Sequence, residues 1–172
     1  EAAAPQGVFR ILESGAMELP GEAIRKHLSG CGEILLMAVT LGSGIERLLR
    51  TSQIRDMAEA VLLDSGASVL AEQVCDTLEA EASEEGVYMT PRYSPGYGDF
   101  PIEMQSQFTK ALDTYRQIGL SVNGNHILIP GKSITAIAGL ADHPVKGYLA
   151  TCEECLIREK CALRKEGKLC WT

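Results

Sequence analysis

The pattern of apolar and polar residues predicts helices in the first part of the chain and strands in the last. The apolar run Ile34–Thr40 is unbroken, as in a central strand that is covered on both faces. Asp56 can cap a helix that continues to about Glu81. Its apolar side chains recur at helical spacing, which predicts an amphipathic helix: Val69, Leu70, Val74 and Leu78.

Helical spacing returns from Glu103 to Ile118, and Gly119 is expected to end that helix. Asn123-Gly124 is a two-residue hairpin signal, which predicts that strands at 120–122 and 126–129 are joined there. The alternating stretch Ser133–Leu140 predicts a further strand.

These elements predict an α+β fold, a mainly antiparallel twisted sheet packed with helices, because strands and helices do not alternate regularly. The sheet is expected to contain Ile34–Thr40, His126–Ile129 and Ser133–Leu140. A short helix is expected near residues 21–28, and residues 1–7 are expected to be a loose end. The stretch from Thr90 to Pro101 is predicted to be irregular, because prolines and glycines interrupt it.

The composition favours one globular domain over residues 1–150, followed by a Cys-rich tail over 151–172. A net charge of −7 argues against a nucleic-acid partner. No apolar run approaches the roughly 20 residues that a membrane helix needs. The sequence begins without an apolar signal region, so a cytoplasmic protein with no membrane partner is expected.

The stretch Arg92-Tyr93-Ser94-Pro95-Gly96-Tyr97-Gly98-Asp99-Phe100-Pro101 carries the candidate chemistry. The Arg92 guanidinium suits a carboxylate, and Tyr97 offers a flat ring for an adenine or a sulfonium. The glycines let a ligand approach the main chain closely. The alternative is a surface loop in which the arginine forms a salt bridge and the tyrosine packs in the core.

Several motifs in order resemble the activation domain of cobalamin-dependent methionine synthase, over about residues 30–150. The Arg-x-x-Pro-Gly-Tyr loop at 92–97 is similar to the family's S-adenosylmethionine loop. The other matching segments are Leu63-Asp64-Ser65-Gly66-Ala67, Ala71-Glu72, Ile118-Gly119-Leu120-Ser121-Val122, Ile127-Leu128-Ile129-Pro130-Gly131-Lys132-Ser133-Ile134, His143-Pro144 and Tyr148-Leu149.

The resemblance implies an S-adenosylmethionine-binding domain that supports reductive methylation of cobalamin carried by a partner methionine synthase or related corrinoid methyltransferase. The reaction takes one electron from a reductant protein (flavodoxin or ferredoxin) and the methyl group from S-adenosylmethionine. No catalytic side chain is implied. The expected ligand-binding residues are Arg92, Ser94, Pro95, Gly96, Tyr97, Tyr148 and Leu149.

The sequence departs from the family pattern at three places. The family's loop continues Pro-Ala-Cys-Pro, whereas this chain has Gly98-Asp99-Phe100-Pro101. Leu149 replaces the second aromatic residue after His-Pro. The family's domain is longer, and its segment that gives an acidic contact to the ligand's amino group has no clear counterpart.

The tail contains Cys152, Cys155, Cys161 and Cys170, enough thiols for zinc or an iron–sulfur cluster. The alternative is a set of reduced surface cysteines. With a metal, the protein could instead be a non-enzymatic adaptor or an electron-transfer accessory that docks a corrinoid protein. Cys31 and Cys75 are expected in the core, and His27 is expected to be a structural histidine.

Overall fold

The computed structural model describes residues 4–148 and 158–165. Within these ranges no helix is both long and apolar enough to cross a membrane. The elements in chain order are β1 (Gln6–Glu13), α1 (Glu22–His27), β2 (Glu33–Thr40), α2 (Gly42–Arg55), α3 (Met57–Ala82), β3 (Tyr88–Met89), α4 (Met104–Ala111), α5 (Thr114–Ile118), β4 (Ser121–Val122), β5 (Leu128–Ile129), β6 (Ser133–Ala141), a 3-10 turn (Arg158–Lys160) and α6 (Ala162–Lys165).

The main sheet has the strand order β1-β2-β6-β3, and all of its pairs are antiparallel. β2 lies in the centre and is buried from Ile34 to Thr40, as its unbroken apolar sequence predicts. The fold is therefore α+β, with a mainly antiparallel sheet packed against helices, which confirms the predicted class.

Each face of the sheet covers its own part of the core, because successive side chains of a strand point to opposite faces. Leu35, Met37 and Val39 of β2 pack on α3, next to Cys75 and Leu78. The alternate residues of β2 pack on the opposite layer, which is formed by α1, α4 and the loops around them. That layer contributes Ile24, Tyr93, Phe100, Met104, Phe108 and Leu112.

The predicted hairpin around Asn123 forms, but it lies outside the main sheet. β4 and β5 make a separate two-stranded sheet, so the prediction that His126–Ile129 shares the main sheet is wrong. The turn is also longer than two residues, because Val122 pairs with Leu128. The Asn123 side chain accepts hydrogen bonds from the amides of Asn125 and Ile127, which stabilises this wider loop.

Two other predictions need correction. Residues 6 and 7 belong to β1, so the loose end predicted for residues 1–7 is wrong at those positions. The single helix predicted from Glu103 to Ile118 is broken into α4 and α5 at Asp113, whose φ of 47° is left-handed. Asp56 caps α3 by accepting from the amides of Ala58 and Glu59, as predicted.

Candidate functional site

The segment 90–97 extends the sheet beyond β3 and then leaves it. The Thr90 amide donates to the Gly139 carbonyl at 2.9 Å, and Tyr93 exchanges two backbone hydrogen bonds with Ile137. After Tyr93 the chain turns away from β6, because Pro95 has no amide to donate. A cleft is left between this segment, the edge of β6 that has no neighbouring strand within the described part of the chain, and helix α3.

This cleft has a volume of about 570 Å³, within the range of small-molecule sites. The sheet supplies an apolar floor, and α3 and the 90–97 segment supply the polar walls. Three predicted ligand residues line it: Arg92, Ser94 and Tyr97. The other lining residues are Glu72, Glu79, Met89, Thr90, Pro91, Ile134 and Ala136.

Arg92 is held by three carboxylates of α3. Its Nη1 donates to Asp76 at 2.8 Å and to Glu79 at 2.7 Å, and its Nη2 donates to Glu72 at 3.0 Å. The Arg92 side chain is 22% exposed. The arginine is thus a salt-bridge partner, as the alternative interpretation of the loop has it, and it also lines the cleft.

The charges of this cluster alter the ionisation of its members. Burial opposes the charged guanidinium, but the hydrogen bond to Asp76 and the charge of Glu79 outweigh it and raise the pKa of Arg92. Burial raises the pKa of Glu79, although Arg92 works in the opposite direction. Cys75 lies beneath the cluster, where burial raises the pKa of its thiol to about 12. Arg92 therefore stays charged, and Cys75 stays protonated at neutral pH.

The α3 carboxylates were not predicted as site residues. Glu72, Asp76 and Glu79 are spaced i, i+4 and i+7, so they lie on one side of the predicted amphipathic helix. That spacing was visible in the sequence. The sequence does not show that these carboxylates contact Arg92, because that contact requires the 90–97 segment to lie beside α3 in the fold.

The turn after Ser94 uses its own amides. Gly96 N–H donates to Phe100 at 2.8 Å, and Tyr97 N–H donates to Ser94 at 3.2 Å. Gly96 has a φ of +96°, which favours glycine, and Pro95 is buried. The main chain at 96–97 thus shapes the cleft through its own turn, and neither amide is left for a ligand.

Tyr97 presents its ring to solvent at the rim of the cleft. The residue is 62% exposed, and its ring meets Tyr93 edge-on at 6.1 Å between centroids. Tyr93 is 8% exposed and packs in the core. The alternative that packs the tyrosine in the core therefore does not hold for Tyr97, whose ring face is exposed.

Asp99 ties the end of the loop to α1. Its carboxylate accepts from the amide of Glu22 at 2.6 Å and from that of Ala23 at 3.0 Å, so it caps the helix from a distant part of the chain. These backbone hydrogen bonds lower the pKa of Asp99. Asp99 stands where the sequence departs from the resembling family, and the cap gives that residue a structural role.

Tyr148 is not brought into the cleft lining. Its backbone instead meets His27, with Nδ1 of the ring 3.0 Å from both the amide and the carbonyl of Tyr148. The Tyr148 ring lies beside Lys26, whose Nζ is 5.7 Å from the ring centroid. Leu149, the other predicted contact from this region, lies outside the described residues.

The Cys-rich tail can be followed only in part. Cys152, Cys155 and Cys170 lie outside the described residues, and Cys161 is a partly buried free thiol. Across 4–148 and 158–165, no cluster of three or more His, Cys, Asp or Glu side chains could hold a metal ion. The four-thiol site thus stays a prediction. Cys31 and Cys75 are buried in the core, as expected.

Comparison with known proteins gives one informative result. No family model matches the chain, and no curated protein matches it. Among solved structures, the fold is similar to the MetH reactivation domain, described as a crystal structure bound to AdoHcy. The TM-score is 0.55 at 17% sequence identity, over 79% of this chain and 47% of that one. The chain therefore shares the fold of that domain and spans about half of its length.

Proposed function

We propose that the protein binds S-adenosylmethionine in the cleft between α3 and the 90–97 segment. The observation that carries this proposal is that Arg92, Ser94 and Tyr97 line one cleft of about 570 Å³. The same three residues belong to the Arg-x-x-Pro-Gly-Tyr motif of the sequence. The similar fold of the MetH reactivation domain, whose structure has AdoHcy bound, supports the same class of ligand.

The charges of the cleft suit this ligand. Three carboxylates surround one guanidinium, which leaves two negative charges in excess when all four groups are ionised. S-adenosylmethionine carries a sulfonium, an ammonium and a carboxylate, and so has one positive charge in excess. The carboxylates of α3 favour the two cationic groups, and on this proposal they supply the acidic contact that the family's missing segment would give.

Arg92 can still serve the ligand's carboxylate. Its three bonds to α3 leave some guanidinium N–H groups without a partner among the described residues. A ligand carboxylate can take those donors, or it can displace Asp76 or Glu72, which are 64% and 58% exposed. Tyr97, at the rim, offers its face to the adenine.

The partner that we propose is a cobalamin-carrying methionine synthase or related corrinoid methyltransferase, with a flavodoxin or ferredoxin as reductant. When it is present, the corrinoid supplies the reduced cobalt that accepts the methyl group. The contribution of this chain is to bind and orient the methyl donor. A partner chain could complete the site, since this chain spans 47% of the similar domain.

Calorimetric titration tests the ligand assignment. We expect S-adenosylmethionine to bind and S-adenosylhomocysteine to bind about fivefold more weakly, since a single charge at 4 Å in a wet site is worth about 1 kcal/mol. Glu72→Gln should narrow this gap, whereas Glu59→Gln, on the same helix but outside the cleft, should leave it unchanged. Absence of binding, with and without a corrinoid protein, would contradict the proposal.

A further inference from the structure

We propose that His27 is a positioning residue for the ligand site, which it serves by joining the two segments that carry Arg92 and Tyr148. The inference rests on the proposed function, because it assigns a role within the same site. His27 ends helix α1 and is fully buried, on the side of the 90–97 segment that faces away from α3.

Both nitrogens of the His27 ring are used. Nε2 lies 2.8 Å from the Pro91 carbonyl and 3.0 Å from the Thr90 hydroxyl. Nδ1 lies 3.0 Å from the amide of Tyr148. A carbonyl can only accept, so the Pro91 carbonyl places a proton on Nε2, while Nδ1 faces both the amide and the carbonyl of Tyr148 at 3.0 Å.

The hydrogen bond between Nε2 and the Pro91 carbonyl acts on Arg92 through the peptide bond. The Pro91 carbonyl belongs to the peptide plane that links Pro91 to Arg92, and His27 fixes the direction of that plane. The direction of the plane sets where the Arg92 side chain leaves the main chain toward the α3 carboxylates. A shift of about 1 Å in a binding group far from the chemistry can cost a large factor in function.

Asp99 holds the far end of the same stretch. It caps the first amides of α1, while His27 at the last residue of α1 holds Pro91. One short helix therefore fixes both ends of the loop that carries Arg92, Ser94 and Tyr97. A loop held at both ends loses less conformational entropy when a ligand binds.

The hydrogen bond between Nδ1 and Tyr148 holds the chain that follows β6 against the same ring. Gly147 has a φ of +64°, and a Cβ there would lie 2.8 Å from Cε1 of His27 and 3.0 Å from Thr90. The main chain thus passes as close to the ring as a glycine allows. His27 is the common contact of the Thr90–Pro91 segment and the Gly147–Tyr148 segment.

Two isosteric variants test the Pro91 hydrogen bond and the Tyr148 hydrogen bond of His27 separately. The amide of an asparagine reaches the position of Nδ1, and that of a glutamine reaches the position of Nε2. His27→Gln should keep the hydrogen bond to Pro91, and its affinity for S-adenosylmethionine should stay within about threefold of that of the wild type. His27→Asn should lose the hydrogen bond to Pro91. It should bind S-adenosylmethionine about three- to tenfold more weakly than the wild type, which is the usual contribution of one hydrogen bond.

Thr114→Val is the matched control, because Thr114 is a fully buried residue whose hydroxyl donates to Leu120, outside the ligand cleft. It should lower the melting temperature and leave the affinity of the folded protein unchanged. An affinity loss in Thr114→Val as large as that in His27→Asn would overturn the positioning role. Unchanged affinity in both His27 variants would also overturn it.

Amide hydrogen exchange of the ligand-free protein gives a readout that does not depend on binding. The Tyr148 amide should exchange faster in His27→Gln, and the Tyr93 amide should exchange faster in His27→Asn. Wild-type protein that fails to bind S-adenosylmethionine would contradict the proposed function alone. Unchanged exchange at both amides would overturn the bridge itself.

Discussion

The segment from Thr90 to Asp99 has two sides that are held by different physical means. On the cleft side, Arg92 meets three carboxylates that are 25% to 64% exposed. On the α1 side, His27 is fully buried and both of its ring nitrogens have hydrogen-bond partners. If the proposed ligand binds, the partly exposed ion pairs can exchange partners with it, whereas both nitrogens of the buried His27 ring are already in use.

This difference shows how one loop can be both responsive and well ordered. Ion pairs near the surface are weak, so replacing one of them by a ligand group costs little. Buried hydrogen bonds are costly to break, because a group left unpaired loses its solvation. The loop is held by α1 on the side away from the cleft, so under the proposed function Arg92 and Tyr97 can adjust to a ligand while the loop stays in place.

The largest effect on stability is expected at the crowded approach to His27. Gly147→Ala should lower the free energy of unfolding by about 2–4 kcal/mol, because it adds a left-handed alanine and a Cβ that overlaps the ring. Urea denaturation measures this. Gly124→Ala is the control, since nothing lies within 4 Å of its Cβ position. Equal stability of the two variants would show that the chain at Gly147 does not pack tightly against His27.

On the cleft side, Arg92→Ala should act mainly on the ligand. We expect S-adenosylmethionine to bind roughly ten- to a hundredfold more weakly, since a hydrogen bond to a charged group is worth about 1.5–3 kcal/mol. The free energy of unfolding should fall by only about 1 kcal/mol, because the carboxylates are partly exposed. Calorimetry and urea denaturation report the two effects.

Arg50→Ala is the matched control for Arg92, because Arg50 forms an exposed pair with Glu46 on α2. Neither its ligand affinity nor its stability should change measurably. An Arg92→Ala protein that binds S-adenosylmethionine like wild type would limit Arg92 to a structural salt bridge.

A smaller effect should follow from the raised pKa of Glu79. Because burial raises the pKa of Glu79 in the folded protein, protonation of Glu79 favours the folded state. This contribution to stability is fully present below the ordinary glutamate pKa of about 4.3 and is lost as pH rises through the pKa of the folded state. Glu79→Gln does not titrate. Its stability relative to wild type should therefore increase as pH rises from 4 to 7, as measured by urea denaturation. A relative stability that decreases over this range would contradict the sign.

The smallest change is expected at Cys75. Burial raises the pKa of this thiol to about 12 and shields it from solvent, so iodoacetamide at pH 8 should leave it unmodified in the native protein. Cys161, which is partly exposed, should react before Cys75. Peptide mass spectrometry locates the modification. Rapid labelling of Cys75 would show that α3 opens away from the sheet near the cleft.

The local pattern of the sequence predicted the main elements well. β2, α3 with its Asp56 cap, and β6 lie close to their predicted positions, because their signals are apolar periodicity and capping within a few residues. The placement of β5 could not be predicted in the same way. A strand of two residues carries too little pattern to say which strand it pairs with.

The candidate site was predicted on one side only. Arg92, Ser94 and Tyr97 were identified from the loop motif, and they do line one cleft. The α3 carboxylates and His27 were not assigned to the site, because their roles depend on contacts between distant parts of the chain. His27 is 64 residues from Pro91 and 121 from Tyr148 in sequence.

Amide chemical-shift mapping tests the central claim most directly. Isotope-labelled protein would be titrated with S-adenosylmethionine, and each shifted amide would be assigned. We expect shifts concentrated at Glu72, Glu79 and the 89–97 segment, with small shifts in a second groove that is lined by α4, the start of α5 and β4. Shifts centred on that second groove, or no shifts at millimolar ligand, would contradict it.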